Sequence, residues 1–221
     1  HLVDLGACAD LKGIERKGRN LVIGAMSTHA EVAASPIVQE AVPALAYLAS
    51  HIGDPHVRHR GTIGGSVANN DPAADYPSAC LALGATIVTN KRKIEADAFF
   101  TGLYETALEE GEIITRIAFP VASKAGYAKF RNPASRYALV GVFVAKRGSD
   151  IRVAVTGAGE GGVFRWSEAE AALKARFAPK SLDGLKHSAD GINGDMHADP
   201  EYRAHLIGVM TKQAVAQATG K

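Results

Sequence analysis

The sequence predicts an α+β chain in two successive parts, on three observations. The first part mixes short strands with helices opened by proline, at Ser35-Pro36 and Asp71-Pro72. The second starts with three strand-like runs in hairpin order, 127–131, 138–145 and 150–156, and closes in helical spacing. Between them Pro120 stops a strand and Ala122-Ser-Lys-Ala-Gly126 reads as a linker, which divides the chain into 1–121 and 125–221.

The elements follow in order. His1-Leu-Val-Asp-Leu reads as the end of a strand, and Leu21-Val-Ile-Gly as a short strand. Thr28-His-Ala-Glu31 has capping-box spacing and opens a helix. A second helix starts at Ser35-Pro36, carries Val38, Val42, Leu45, Leu48 and Ile52 on one face through Pro43, and is closed by Gly53. Asp54-Pro-His-Val-Arg-His-Arg60 reads as a loop whose Arg58 and Arg60 add positive potential. Its His56 and His59, with His51, lack a carboxylate or thiolate at ligand spacing, which argues against a metal. Asp71 caps a helix begun by Pro72 and closed by Gly84.

Asn90-Lys91 joins 85–89 and 92–96 as a hairpin, and 112–119 alternates Ile113, Thr115, Ile117 and Phe119 on one face. Arg147-Gly-Ser149 joins two strands of the second part. Ser167-Glu-Ala-Glu170 caps a helix, residues 179–198 form an exposed loop, and Asp199-Pro200 opens a terminal helix with Tyr202, Leu206, Val209 and Met210 on its buried stripe.

Composition bounds the function. The 221 residues are 47% hydrophobic, ample for a core, and 25 basic against 23 acidic residues leave a charge of +2, which gives no reason to expect a nucleic-acid partner. No apolar run reaches the roughly 18 residues of a membrane span, so the expected location is cytoplasmic. Cys8 and Cys80 stand far apart and outside any Cys-x-x-Cys pattern, so a metal or iron–sulfur centre is expected on a partner.

The chemistry concentrates in Gly61-Thr-Ile-Gly-Gly-Ser66. Gly64 and Gly65 lack Cβ atoms and tolerate positive φ, so their N–H groups are expected to line up on a ligand oxygen, flanked by the Thr62 and Ser66 hydroxyls. Asp75, inside the following helix, is an acceptor suited to a ribose or other hydroxyl. Together they suit a nucleotide diphosphate. The stretch is not a P-loop, for the lysine before the Ser/Thr is missing, and Gly157-Ala-Gly-Glu-Gly-Gly162 is not a Rossmann fingerprint, because Val163-Phe-Arg-Trp follows where a helix is required.

Gly61-Thr-Ile-Gly-Gly-Ser followed by Pro72-Ala-Ala-Asp-Tyr-Pro77 resembles the second FAD-binding motif of the medium subunit of molybdenum hydroxylases of the carbon monoxide and xanthine dehydrogenase type. Phe99-Phe100-x-Gly102, Glu112-Ile-Ile, Ala134-Ser-Arg-Tyr-Ala-Leu-Val-Gly141, Val153-Ala-Val-Thr-Gly-Ala-Gly159 and Glu201-Tyr-Arg-x-His-Leu206 continue the resemblance in order to the C-terminus. It departs at His56 and His59, where the family usually shows amides.

The resemblance implies a partial FAD-binding domain of the PCMH/vanillyl-alcohol-oxidase type, followed by an antiparallel-sheet-plus-helices domain of the carbon monoxide dehydrogenase flavoprotein C-terminal type. It implies that Thr62, Ile63, Gly64, Gly65 and Ser66 wrap the FAD pyrophosphate and that Asp75 accepts a hydrogen bond from the cofactor. Ile114, Tyr137 and a cation from Lys129 or Arg131 are then expected near the isoalloxazine. The implied partners are an iron–sulfur small subunit and a molybdopterin large subunit, with an external electron acceptor. The family's first glycine loop lies ahead of where this chain starts, so the expectation for the chain as given is little or no bound FAD. Two rivals stand beside the electron-transfer subunit: a non-enzymatic assembly module that binds no FAD, and a nucleotide-dependent transferase, for which no acid–base constellation is present.

Overall fold

The computed structural model describes residues 2–220. The first part contains β1 (Ile14–Lys17), β2 (Asn20–Gly24), α1 (His29–Ala34), α2 (Pro36–Ala41), α3 (Pro43–Ser50), α4 (Pro55–Arg60), α5 (Ile63–Asn69) and α6 (Tyr76–Leu83). It continues through β3 (Thr86–Thr89), β4 (Lys93–Glu95), α7 (Ala96–Phe99), β5 (Phe100–Gly102), β6 (Glu105–Thr106) and β7 (Ile114–Pro120). The second contains β8 (Lys124–Arg131), β9 (Ala138–Arg147), β10 (Asp150–Thr156), β11 (Phe164–Arg165), α8 (Ser167–Ala175) and α9 (Pro200–Ala218). Two antiparallel sheets result, ordered β1-β2-β7-β3-β4 and β11-β10-β9-β8, with β5 and β6 paired apart. Among the described residues no helix is long and apolar enough to cross a membrane.

Helix α6 joins the two sheets. Its sequence, Tyr-Pro-Ser-Ala-Cys-Leu-Ala-Leu, is apolar on nearly every side, and all eight residues are buried. It shares one core with Leu21, Ile117 and Phe119 of the first sheet and with Tyr127, Phe143 and Ala154 from the near face of the second. The far face of the second sheet (Val140, Val142, Val153, Val155) packs on α8 and α9 in a separate core. Strand β9 is therefore covered on both sides, which explains its continuous apolar run. Each fully buried Phe, Leu or Ile contributes roughly 1.5–3 kcal/mol.

Several expectations change for physical reasons. The helix drawn from Ser35 to Gly53 is two helices, because Pro43 forces Val42 out of the helical region, to φ −145°. Residues 54–60 are a short helix, not a loop: the Asp54 carboxylate accepts the Val57 N–H at 2.9 Å. The helix expected from Asp71 starts only at Tyr76; Asp71 closes a turn instead, accepting the Ala73 N–H. A register shift at Val88/Thr89 puts Ile114 inside and leaves Ile113 exposed, reversing the expected alternation at the head of β7.

Residues 124–126 belong to β8, so the connection shortens to 121–123. Ser167 does not cap α8; its hydroxyl bonds Glu168, and Glu170 takes Arg165 and the Val153 N–H. On α9 the buried stripe runs through Arg203, Leu206, Ile207, Met210 and Ala214, while Tyr202 is exposed. Within 179–198, Leu182 and Ile192 are buried anchors. Residues 2–5 form no strand, His1 lies outside the described residues, and β1, unread in the sequence, forms the edge of the first sheet.

Candidate functional site

A cleft of about 320 Å³ opens between the first turn of α5, the Asp71–Asp75 turn and strand β8 with its following loop. Thr62, Gly65, Ser66, Asp75, Lys129 and Tyr137 all line it, so six of the ten expected contacts meet in one place. They come from both halves of the chain.

The glycine pair works differently from the expectation. Neither Gly64 nor Gly65 has a positive φ; both lie in the first turn of α5, capped by Thr62, whose hydroxyl accepts the Gly65 N–H at 3.2 Å. The Ile63 and Gly64 N–H groups face backwards, bonding the carbonyls of Ser27 (3.0 Å) and Ala25 (2.8 Å). A Cβ on Gly64 would lie 2.5 Å from the Ala25 Cβ, so this glycine serves helix packing and, with the buried Ile63, stands outside the cleft. Gly65 is the exposed one. A Cβ there would meet only the Thr62 hydroxyl, at 3.0 Å, and would take up the space that lets a ligand approach the backbone.

The cleft floor is an ion pair. Strand alternation puts Tyr127 and Lys129 on one face of β8, directed at Asp75 at the start of α6. Lys129 Nζ stands 2.9 and 3.0 Å from the two Asp75 oxygens and donates to the His51 carbonyl at 3.1 Å, while the Tyr127 hydroxyl donates to Asp75 Oδ1. Burial pushes the Asp75 carboxyl up from its ordinary range, against the pull of Lys129 and Tyr127, and burial beside Asp75 pushes the Tyr127 phenol up. Both Asp75 oxygens are therefore engaged inside the protein, where a cofactor hydroxyl was expected as donor.

Three more of the expected residues stand apart from the cleft. Arg131 would share the face of Tyr127 and Lys129, but a bulge between Phe130 and Arg131 breaks the alternation; Arg131 is exposed and outside the cleft. Ile114 is a core residue of β7, also outside it. Arg58 holds the carbonyls of Ile52 (3.1 Å) and Gly53 (3.2 Å) through Nη1, so its charge stays near the cleft while the residue itself does not line it.

Sequence reasoning missed His29, Asn69, Asp71, Ser135 and Arg136, which also line the cleft. His29 is buried against Tyr76, ring centroids 5.4 Å apart, and its Nδ1 has no partner. Burial, then the Arg58 charge, lowers its pKa to about 4, which keeps the ring neutral. It also dictates Gly61, where a Cβ would lie 2.5 Å from Nε2. Its only sequence signal was its place in the Thr28–Glu31 capping box. Ser135 and Arg136 hang on Asn132, a buried side chain that accepts the Ala134 and Ser135 N–H groups at 2.9 and 3.1 Å; Asn132-Pro133 was the legible turn signal. The second half clamps the Asp71–Ala74 turn: Thr156 Oγ1 donates to the carbonyls of Pro72 and Ala74, and the Gly157 N–H to Pro72. That is the use of the glycine run at 157–162, which leads into β11 and not into a helix.

Residues 1–122 match the family described as the FAD binding domain in molybdopterin dehydrogenase. The chain is 33% identical to the carbon monoxide dehydrogenase medium chain of Hydrogenophaga pseudoflava, over 97% of this chain and 80% of that one. It is 34% identical to the nicotine 6-hydroxylase medium subunit of Paenarthrobacter nicotinovorans, over 98% and 81%. The fold superposes on carbon monoxide dehydrogenase from Oligotropha carboxidovorans with a TM-score of 0.86 at 29% identity, covering 96% of this chain and 79% of that one. The glycine turn, the order of elements and the match across both halves agree: this chain belongs to the FAD-binding medium-chain family of the molybdenum hydroxylases.

Proposed function

We propose that this chain is the flavin-holding, electron-relaying subunit of a molybdenum hydroxylase of the carbon monoxide dehydrogenase type. It would stand between the iron–sulfur clusters of a small subunit, served by a molybdopterin large subunit, and an external acceptor. The observation that supports this most is the cleft itself, where an open glycine edge, two hydroxyls and a buried lysine from different parts of the chain converge. The residues fit FAD: the space over Gly65 is what a side chain would fill, and His29 Nδ1 is a buried polar atom without a partner. Bound FAD supplies reversible electron transfer that no side chain here offers.

In this reading Thr62 and Ser66 give their hydroxyls to the pyrophosphate, and Gly65 permits its close approach. Asp75 acts by holding Lys129 and Tyr127 in place beneath the cofactor through its two oxygens. Tyr137, exposed on the loop, covers the ring. The division into 1–121 and 125–221 is part of the proposal, the flavin lying at their junction. Visible absorbance of the full-length subunit tests it: a flavin band is expected, and it should vanish in Gly65→Val while the circular dichroism stays unchanged. A band at wild-type strength in that variant would remove the glycine edge from the site.

A further inference from the structure

The cations around the cleft are not equivalent. Lys129 is paired with Asp75 and 5% exposed, Arg58 holds two carbonyls through Nη1 and, like Arg60, does not line the cleft, and Arg131 is turned away by the bulge. His29 is neutral. Arg136 remains: it lines the cleft, is exposed, and among the described residues forms no ion pair or side-chain hydrogen bond.

Its backbone adds a second observation. Among the described residues only Asn70, Tyr104 and Arg136 are non-glycine residues with positive φ, at 45°, 54° and 63°. All three stand around this end of the molecule. Asn70 closes α5 and donates to the Gly102 and Glu105 carbonyls, Tyr104 donates to Asp71 Oδ2 at 3.3 Å, and Arg136 belongs to the loop built on Asn132. A left-handed conformation is disfavoured for an ordinary residue, and such strain collects at ligand sites. For a loop turn alone glycine would serve better than arginine.

We propose that Arg136, and not Lys129 or Arg131, is the residue whose charge meets an anionic group of the bound ligand. This rests on the flavin reading above. Two parts of a flavin dinucleotide present that chemistry, the pyrophosphate and the reduced ring when anionic. Arg136→Gly separates charge from strain, because glycine relaxes φ and keeps the loop, so the variant should fold as well as wild type. Arg136→Lys retains the charge. Titrate FAD and riboflavin into the flavin-stripped full-length subunit and measure the potential of the bound flavin.

For a pyrophosphate contact, Arg136→Gly should bind FAD roughly 10- to 100-fold more weakly, with riboflavin affinity and potential unchanged and partial rescue in Arg136→Lys. For a ring contact, the potential should fall and be partly restored by lysine. FAD affinity and potential both at wild-type values in a folded Arg136→Gly would overturn the assignment while leaving the flavin reading intact. A wild-type subunit that takes up no flavin would sink both.

Discussion

Two buried carboxylates, Asp75 at the cleft and Glu112 at the far corner of the first sheet, show how a site differs from a scaffold. Glu112 is fully supplied: Arg92 bonds both its oxygens (3.0 and 3.1 Å), the Thr89 hydroxyl donates at 2.7 Å and the Glu109 N–H at 2.9 Å. Those donors, Arg92 first, hold its pKa down to about 2. Asp75 has only a lysine and a phenol, and burial outweighs them, so its pKa rises. The cleft also contains a histidine nitrogen without a partner and an arginine on strained backbone, and none of these has a counterpart around Glu112. A structural corner satisfies its polar groups internally, whereas a site leaves some for a ligand to satisfy.

The sharpest way to break that comparison is to remove each cation. Lys129→Met leaves Asp75 buried and uncompensated, and should cost about 3–5 kcal/mol in urea unfolding. Arg92→Met should cost less, since Arg92 is half exposed and Glu112 keeps two donors. An equal loss in the two variants would remove the distinction.

Acid titration is expected to separate the regions next. His29 has a folded pKa of about 4 against an ordinary 6.5, so on acidification the unfolded chain takes the proton first. Stability should fall as pH drops from 6.5 to 4, by about 3 kcal/mol, and stop falling from this cause below 4. Glu112 behaves oppositely in range: its contribution is complete above the ordinary carboxylate pKa and disappears only as pH approaches about 2. His29→Phe should flatten the unfolding profile between pH 4 and 6.5; an unchanged slope there would show that the ring is not the source.

Neighbouring glycines sharpen the contrast further. Gly64→Ala must push against Ala25 and should cost about 1–3 kcal/mol, measured by thermal unfolding. Gly65→Ala should change stability by less than about 1 kcal/mol, with its effect appearing in flavin content instead. For flavin binding, the smallest effect belongs to pure scaffold. Thr28→Ala removes the hydroxyl half of the α1 capping box and keeps the backbone N–H to Glu31, a loss of about 1 kcal/mol that should leave flavin binding untouched.

Much of this was open to reading in the chain itself. Short-range chemistry fixes the Thr28 and Asp199 caps, the turns at Asn90-Lys91 and Arg147-Gly-Ser149, and the helix stop at Gly84, because each depends on residues within one turn of each other. The motif at 61–66 and the Tyr137 loop pointed to the cleft for the same reason. Contacts between distant residues decided the rest. Only packing against Ala25 gave Gly64 a different role from Gly65, and only two register shifts put Ile114 inside and Arg131 outside. Pairing Asp75 with Lys129 brings together residues 54 positions apart, and among the described residues Arg136 is the arginine that lines the cleft with no ion pair of its own. Local propensity is written residue by residue, but which donors remain unpaired is settled only when the two sheets close on α6.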